Sequence, residues 1–285
     1  MGLAVAAIRH LPSVLKVQLA WAVGRILFAL WGSRRRAAIY WSSRALGLPL
    51  EDAQTLKNAR DTFVNFSRFV IDFVESSTLP RRRLLETKVR SRKGFEAVER
   101  IARDGAGGLF ISGHVGNWEL VGIALSYLRG ELHVVALPLD VGSFNRFAQQ
   151  TRSMNGFRII HSDGAARRVL GLLRKGAWVA ILGDRPISDK GEKIMFLGKE
   201  GAHPLGMVRL AKRPGVPVVF GAGWWDGDGR YDLEYVSLEG VRDPDVSADE
   251  LLGRAADVLE DLVTRHPDQW YIAYTSGPGM DPPIA

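Results

Sequence analysis

Between residues 109 and 236, short apolar runs alternate with stretches of helical periodicity, and this alternation limits the fold more than any other feature of the chain. The runs are LFISG (109–113), HVVAL (133–137), RII (158–160), WVAIL (178–182), VPVVFGAG (216–223) and YDLEYV (231–236). Helical patterns lie between them at about 118–129, 143–154, 164–175 and 205–213, and a last one at about 247–265. Strands separated by helices pair in parallel. The expectation is therefore an α/β fold: a largely parallel central sheet flanked by helices, with the site at the carboxyl ends of the strands. Upstream, residues 35–75 suggest helices, a short one at 41–46 and a long one from about Glu51. In the long one Phe63, Phe66, Val70, Phe73 and Val74 recur at helical spacing. No internal repeat, low-complexity tract or long linker divides the chain, so residues 37–285 read as one α/β domain behind an N-terminal appendage, residues 1–36.

That appendage narrows the setting. Residues 11–31, LPSVLKVQLAWAVGRILFALW, are apolar apart from Ser13, Lys16, Gln18 and Arg25. No small-residue cleavage site follows, so a secretory signal fits poorly, and a span of about twenty apolar residues is only just met. Lys16 and Arg25 stand nine positions apart, roughly 180° around a helix, and cannot share one polar stripe. The segment either lies in the membrane interface or crosses obliquely with both charges snorkelling, with Trp21 and Trp31 at headgroup level. A plain core helix is the competing reading. Basic residues cluster at Arg34–Arg36, at Arg81–Arg83 and at Arg90, Arg92 and Lys93, within a chain of formal charge +7. No zinc finger, RNP-like run or helix-turn-helix signal accompanies them, so an anionic membrane surface is expected before nucleic acid.

Candidate chemistry begins where the first strand of the alternation ends. In ISGHVGNWE (111–119), His114 falls just past the strand, Asn117 is placed to cap a helix, and Glu119 follows about one turn on. An imidazole beside a carboxylate makes a general base, because the carboxylate fixes the tautomer and stabilises the imidazolium. Gly113 and Gly116 allow close backbone approach, and N–H groups at the helix start, those of Gly116 and Asn117 among them, are candidates to hold a ligand oxygen. The bland alternative is a histidine that only ties down a loop. With no cysteine there is no thiolate nucleophile and no Cys-ligated metal. Ser112 lacks the strained G-x-S-x-G turn of an exposed nucleophile. Arg152 and Arg185, the latter beside Asp184 at a strand end, are candidate phosphate contacts, because a guanidinium fork matches phosphate oxygens. Their alternatives are a solvated helix face and a loop-fixing Asp184–Arg185 network. His203-Pro204 is read as a helix start rather than a cavity wall. Gln269 and Trp270 are read as structural, and His133 and His161 as packing residues.

His114-Val-Gly-Asn-Trp-Glu119 resembles the HX4(D/E) motif of the glycerolipid acyltransferase superfamily. More narrowly, the chain is similar to the bacterial lipid A biosynthesis acyltransferase family, which includes phosphatidylinositol mannoside acyltransferases. Supporting matches follow in order: NRFAQQTRSMNG (145–156), Gly183-Asp184-Arg185, Lys190-Gly191 leading to Phe196-Leu197-Gly198, His203-Pro204-Leu205-Gly206, Gly215-Val-Pro-Val218 and His266-Pro-Asp-Gln-Trp270. The resemblance implies O-acyl transfer from a thioester of acyl carrier protein or coenzyme A to a hydroxyl of a glycolipid or lipid A-type acceptor. It makes His114 the general base and Glu119 its orienting carboxylate, with no metal and no cofactor beyond the acyl co-substrate. It also implies work at the cytoplasmic face of a bacterial inner membrane. An F-P-E-G-T-R run is missing, which points away from glycerol phosphate as acceptor and leaves a lysophospholipid as the alternative. A non-catalytic membrane-binding protein is the rival from another class. A dinucleotide enzyme fits badly, because Gly221-Ala-Gly223 leads into Trp224-Trp225 rather than a helix. A metallohydrolase fits no better, for want of paired-histidine spacing.

Overall fold

The computed structural model describes residues 8, 10–136, 142–161, 164–185 and 192–274. Nine strands are described: β1 Val89–Lys93, β2 Gly108–Ser112, β3 Leu132–Ala136, β4 Phe157–His161, β5 Trp178–Leu182, β6 Glu192–Phe196, β7 Lys199–His203, β8 Val218–Trp225 and β9 Tyr231–Ser237. The helices are α1 Ser13–Leu30, α2 Gly32–Leu46, α3 Ala53–Ser76, α4 Arg81–Lys88, α5 Phe95–Arg103, α6 Trp118–Arg129, α7 Gly142–Met154, α8 Ala165–Arg174, α9 Met207–Lys212 and α10 Ala248–Thr264. Seven strands form one sheet in the order β1-β9-β8-β2-β5-β3-β4, parallel throughout except for the antiparallel pair β8–β9.

Alternation along the strands divides the core. On β2, Leu109 and Ile111 face one apolar layer while Phe110 faces the other, and β5 does the same with Val179 and Ile181 against Trp178 and Ala180. Every residue of β2 is buried, as a central parallel strand covered on both faces requires. The helices are punctuated by side-chain caps: Asn117 Oδ1 accepts from Leu120 N at 3.0 Å to start α6, and Ser247 Oγ accepts from Glu250 N at 3.0 Å to start α10.

The alternating region matches its sequence pattern to within a few residues. The Arg-rich stretch does not read so easily, because it holds α4, β1 and α5. VRSRK in β1 buries only Val89, so an edge strand here carries no apolar signature. The helix expected at 41–46 runs back to Gly32. The β6–β7 hairpin turns through Leu197 and Gly198, both at positive φ (49° and 67°), a two-residue turn of mirror-image type. Leu197 tolerates that backbone because its N–H donates to Glu260 at 2.5 Å and its carbonyl accepts from Arg44.

The N-terminal helix is not free of the body. Ala20 and Gly24 are its buried residues, and a Cβ on Gly24 would stand 2.5 Å from Val64 Cα, so α1 and α3 cross almost backbone to backbone. Phe28 meets Phe63 edge-on at 5.2 Å. Lys16 does not snorkel. Its Nζ reaches Glu75 of α3 at 3.0 Å with 12% of the side chain exposed, which does not fit the oblique crossing in which both charges snorkel. Several of the clustered arginines also turn inward: Arg34 to the Ala273 carbonyl, Arg35 to the carbonyls of Phe28 and Ala29 that end α1, and Arg81 to those of Ser126 and Gly130.

Candidate active site

His114 follows β2 directly at the carboxyl edge of the sheet, and Gly183-Asp184 follows the neighbouring β5. The parallel register that sets Ser112 beside Leu182 therefore delivers the two loops together, clamped where Gly183 N donates to Ser112 O at 2.7 Å. Asp184 Oδ1 lies 2.8 Å from His114 Nδ1, while Oδ2 accepts from the His114 backbone N–H and from the Trp270 indole N–H, each at 2.8 Å. The Asp184 side chain is sealed from solvent and that of His114 is 15% exposed. Burial alone would raise the Asp184 carboxyl. The His114 charge and the three hydrogen bonds outweigh it and hold the group down at about 2.

An ionised carboxylate only accepts, so Nδ1 of His114 carries a proton, and in the neutral ring the lone pair is on Nε2. Nothing in the described protein takes Nε2. The ring is backed by Trp118, edge-on at 5.3 Å.

The carboxylate that orients His114 is therefore Asp184, and the expectation that Glu119 does so is corrected. Glu119 is buried on the first turn of α6, where its Oε1 accepts from Arg152 Nε at 2.9 Å and Nη2 at 2.6 Å. One turn of helix places Glu119 beside the same cavity but facing α7 rather than the loop that carries His114. Arg152, on α7, is thereby committed to a part-buried ion pair and lies 6.0 Å from the Phe73 ring. Gly116 and Asn117 likewise shape the loop. Gly116 N donates to Gln269 O and Asn117 N to Gly223 O, both at 2.7 Å, so neither N–H is available to hold a ligand oxygen. Gly116 sits at φ +55°, and a Cβ there would come within 1.9 Å of Gly223 O, which is why the turn demands glycine.

Trp270 is, after Asp184, a second site residue whose part sequence reasoning missed. It is a structural tie, as expected, but what it ties is the Asp184 carboxylate. The indole N–H was a weak signal, since it usually finds a partner when buried but those of Trp118, Trp178, Trp224 and Trp225 have none. His203 is buried, with its ring nitrogen 3.3 Å from Gly183 O, and Pro204 starts a short turn, as expected, but also lines the cavity. Lys190-Gly191 lies outside the described residues.

His114 opens into a cavity of about 400 Å³. Its lining is mostly apolar: Phe66, Phe69, Val70 and Phe73 of α3 form one wall and Val134, Val135 and Ala136 of β3 another. Glu119, Arg152 and Arg185 are its charged members. Among the described residues no cluster of three or more His, Asp or Glu side chains is placed to hold a metal ion.

An imidazole–carboxylate pair at the carboxyl edge of a largely parallel sheet, opening into a mostly apolar cavity, makes this an α/β protein with a candidate acid–base site. The chain belongs to the bacterial lipid A biosynthesis acyltransferase family, whose model matches residues 2–273. It is also similar to the phosphatidylinositol mannoside acyltransferase of two Mycobacterium tuberculosis strains, 24% identical over 213 residues, or 73% of this chain and 66% of the relative. The enzyme of that name from Mycolicibacterium smegmatis is 24% identical over 172 residues, covering 59% of this chain and 56% of the relative. The chain thus spans 56–66% of the length of the curated relatives it matches.

Proposed function

We propose that this protein is an O-acyltransferase that moves a fatty acyl chain from a phosphopantetheine thioester, on coenzyme A or acyl carrier protein, to a hydroxyl of a glycolipid. The observation that carries the reading is His114, oriented by Asp184 and presenting Nε2 to a cavity shaped for a hydrocarbon. The acceptor hydroxyl gives its proton to Nε2 as its oxygen forms a bond to the thioester carbonyl carbon. The tetrahedral intermediate then expels the thiolate, which takes that proton from the imidazolium, so an ester and a free thiol leave and the histidine is restored. Asp184 stabilises the imidazolium between the two steps without accepting its proton, in keeping with a carboxyl held at about 2.

Glu119 and Arg152 offset one another's charge inside an apolar wall. Glu119 is thereby kept buried and Arg152 half-buried beside the cavity, and Glu119 acts as a positioning residue rather than as the partner of His114. Arg185, directly after Asp184, is our assignment for the phosphate of the thioester arm or of the lipid headgroup. The exposed apolar surface of α1 is our assignment for the membrane contact, at the face of the inner membrane where thioester donors are found.

The test supplies coenzyme A and acyl carrier protein thioesters in separate arms, with a bacterial lipid extract as acceptor and mass spectrometry as readout. The wild type is expected to add one acyl group to a lipid, and His114→Ala to add none while keeping its circular dichroism. Asp184→Asn is expected to lose about 10²–10⁴-fold in kcat with little change in KM for the donor. Full transfer by folded His114→Ala removes the mechanism, and a folded wild type that transfers nothing favours a lipid-binding role.

A further inference from the structure

At the end of β3 away from His114, residues from three elements line the cavity and close on one another. Gly122 lies three positions past Glu119 on α6, and Leu132 and Phe157 open β3 and β4, side by side in the parallel register. All three line the cavity. Because the strands are parallel, their first residues lie at the edge of the sheet away from His114. The wall that runs down β3 from Ala136 to Leu132 is then about 13 Å deep, four residues at about 3.3 Å each.

Gly122 is in the middle of a helix, where glycine weakens the structure relative to alanine, and its φ lies outside the positive range that would require it. Space explains it instead. A Cβ at this position would stand 2.8 Å from Phe157 Cζ and 3.4 Å from Leu132 Cδ2. The absent side chain leaves the floor at its present depth, with the Phe157 ring as the surface that a chain end would touch.

We propose that Gly122, set against Phe157, fixes the length of acyl chain the protein accepts. This rests on the cavity being the acyl subsite. A chain whose carbonyl is held at His114 runs along β3 toward the floor, and each methylene that reaches the apolar lining is withdrawn from water. A methylene that cannot fit is bent back or left in the mouth, and each one so excluded costs about four-fold in binding.

The experiment compares wild type, Gly122→Ala and Phe157→Leu with saturated acyl thioesters graded in steps of two carbons, offered in competition, and reads the product distribution by mass spectrometry. In parallel, the matching free fatty acids are tested for the rise in Tm they give each protein, which reports binding without turnover. The length optimum is expected to move shorter in Gly122→Ala and longer in Phe157→Leu, with the ratio of adjacent even lengths changing by ten-fold or more. Loss of packing alone would lower rate and Tm for every length without moving the optimum. If both folded variants keep the wild-type optimum, the proposal is overturned while the acyltransferase reading stands. If the wild type itself neither transfers any chain nor is stabilised by one, the acyl subsite is wrong and the proposal falls with it.

Discussion

Asp184 shows how one buried side chain carries more than its own contacts. Its two oxygens take three donors, from the His114 ring, the His114 backbone and Trp270, so the loop, the ring tautomer and the C-terminal segment are fixed by a single carboxylate. Depression of the carboxyl from 3.8 to about 2 is also a statement about stability. A group depressed in the folded state contributes stability that is present above its unfolded value and is lost as pH falls through the folded one. The window is therefore from about pH 4 down to about pH 2, and the amount is about 2 kcal/mol. Urea midpoints of wild type and Asp184→Asn measured from pH 6 to pH 2 are expected to differ most at the upper end and to converge below pH 4. A gap that stays constant with pH contradicts the assignment. At this scale the sequence was half legible. His114 stood out because a polar, titratable residue flanked by glycine at a strand end has few structural uses. Its partner was misread because helical spacing puts Glu119 near in number. The nearness of Asp184, 70 positions away, is a product of the β2–β5 pairing that no local pattern contains.

Helix α3 works at the level of the element, with two faces that do different things. Phe66, Phe69 and Phe73 line the cavity, while Asp72 and Glu75 enter an ionic chain with other helices. Lys88 of α4 lies 2.7 Å from Asp72 and 2.8 Å from Glu75, Lys16 of α1 lies 3.0 Å from Glu75, and the Tyr231 hydroxyl donates to Asp72 at 2.7 Å. The chain is lopsided in its dependence on the two lysines. Removing Lys16 leaves Glu75 its second cation, whereas removing Lys88 leaves Asp72 with only a phenol and sets two carboxylates in a half-closed space. Lys88→Met is accordingly expected to destabilise by about 3–5 kcal/mol, as for a buried pair that loses one member, and Lys16→Met by clearly less. Chemical denaturation of the two variants decides it, and equal losses would show that the network is not shared as drawn. The aromatic periodicity of α3 was visible in the sequence because it follows the helical repeat. The β6–β7 hairpin and β1 were not, because a surface hairpin and an exposed edge strand bury too little to leave a pattern.

On the scale of the whole molecule, the proposed membrane contact raises the question of how α1 would meet a lipid surface. Its composition and length suffice for a membrane span, but only 11% of it is buried within the protein, and Val14, Trp21, Ile26 and Leu30 are 68%, 57%, 56% and 79% exposed. The packing favours lying flat over spanning. Lys16 meets Glu75, Gly24 meets Val64 and Phe28 meets Phe63, so α1 lies antiparallel along α3 for most of its length. A perpendicular α1 would have to take α3 into the hydrocarbon with it, along with Asp72, Glu75 and the cavity wall, at the cost of burying several charges in lipid. A helix held flat against the body, with its outer side apolar, suits the interfacial contact proposed above, and Trp31 at its C-terminal end meets Tyr274 of the cavity lining at 6.1 Å. Because several clustered arginines are already spent on backbone carbonyls, apolar burial should dominate over charge, and raising salt from 0.1 to 0.5 M should weaken vesicle binding less than Leu30→Glu does. The chain has no cysteine, so Val14→Cys and Leu30→Cys each introduce a unique label position at opposite ends of α1. With an environment-sensitive dye on phosphatidylglycerol-containing vesicles and quenchers set at graded depths, the flat orientation requires both positions to report the same shallow depth from the same leaflet. A label at one end accessible only from the opposite side would mean that α1 crosses, and that it leaves α3 to do so.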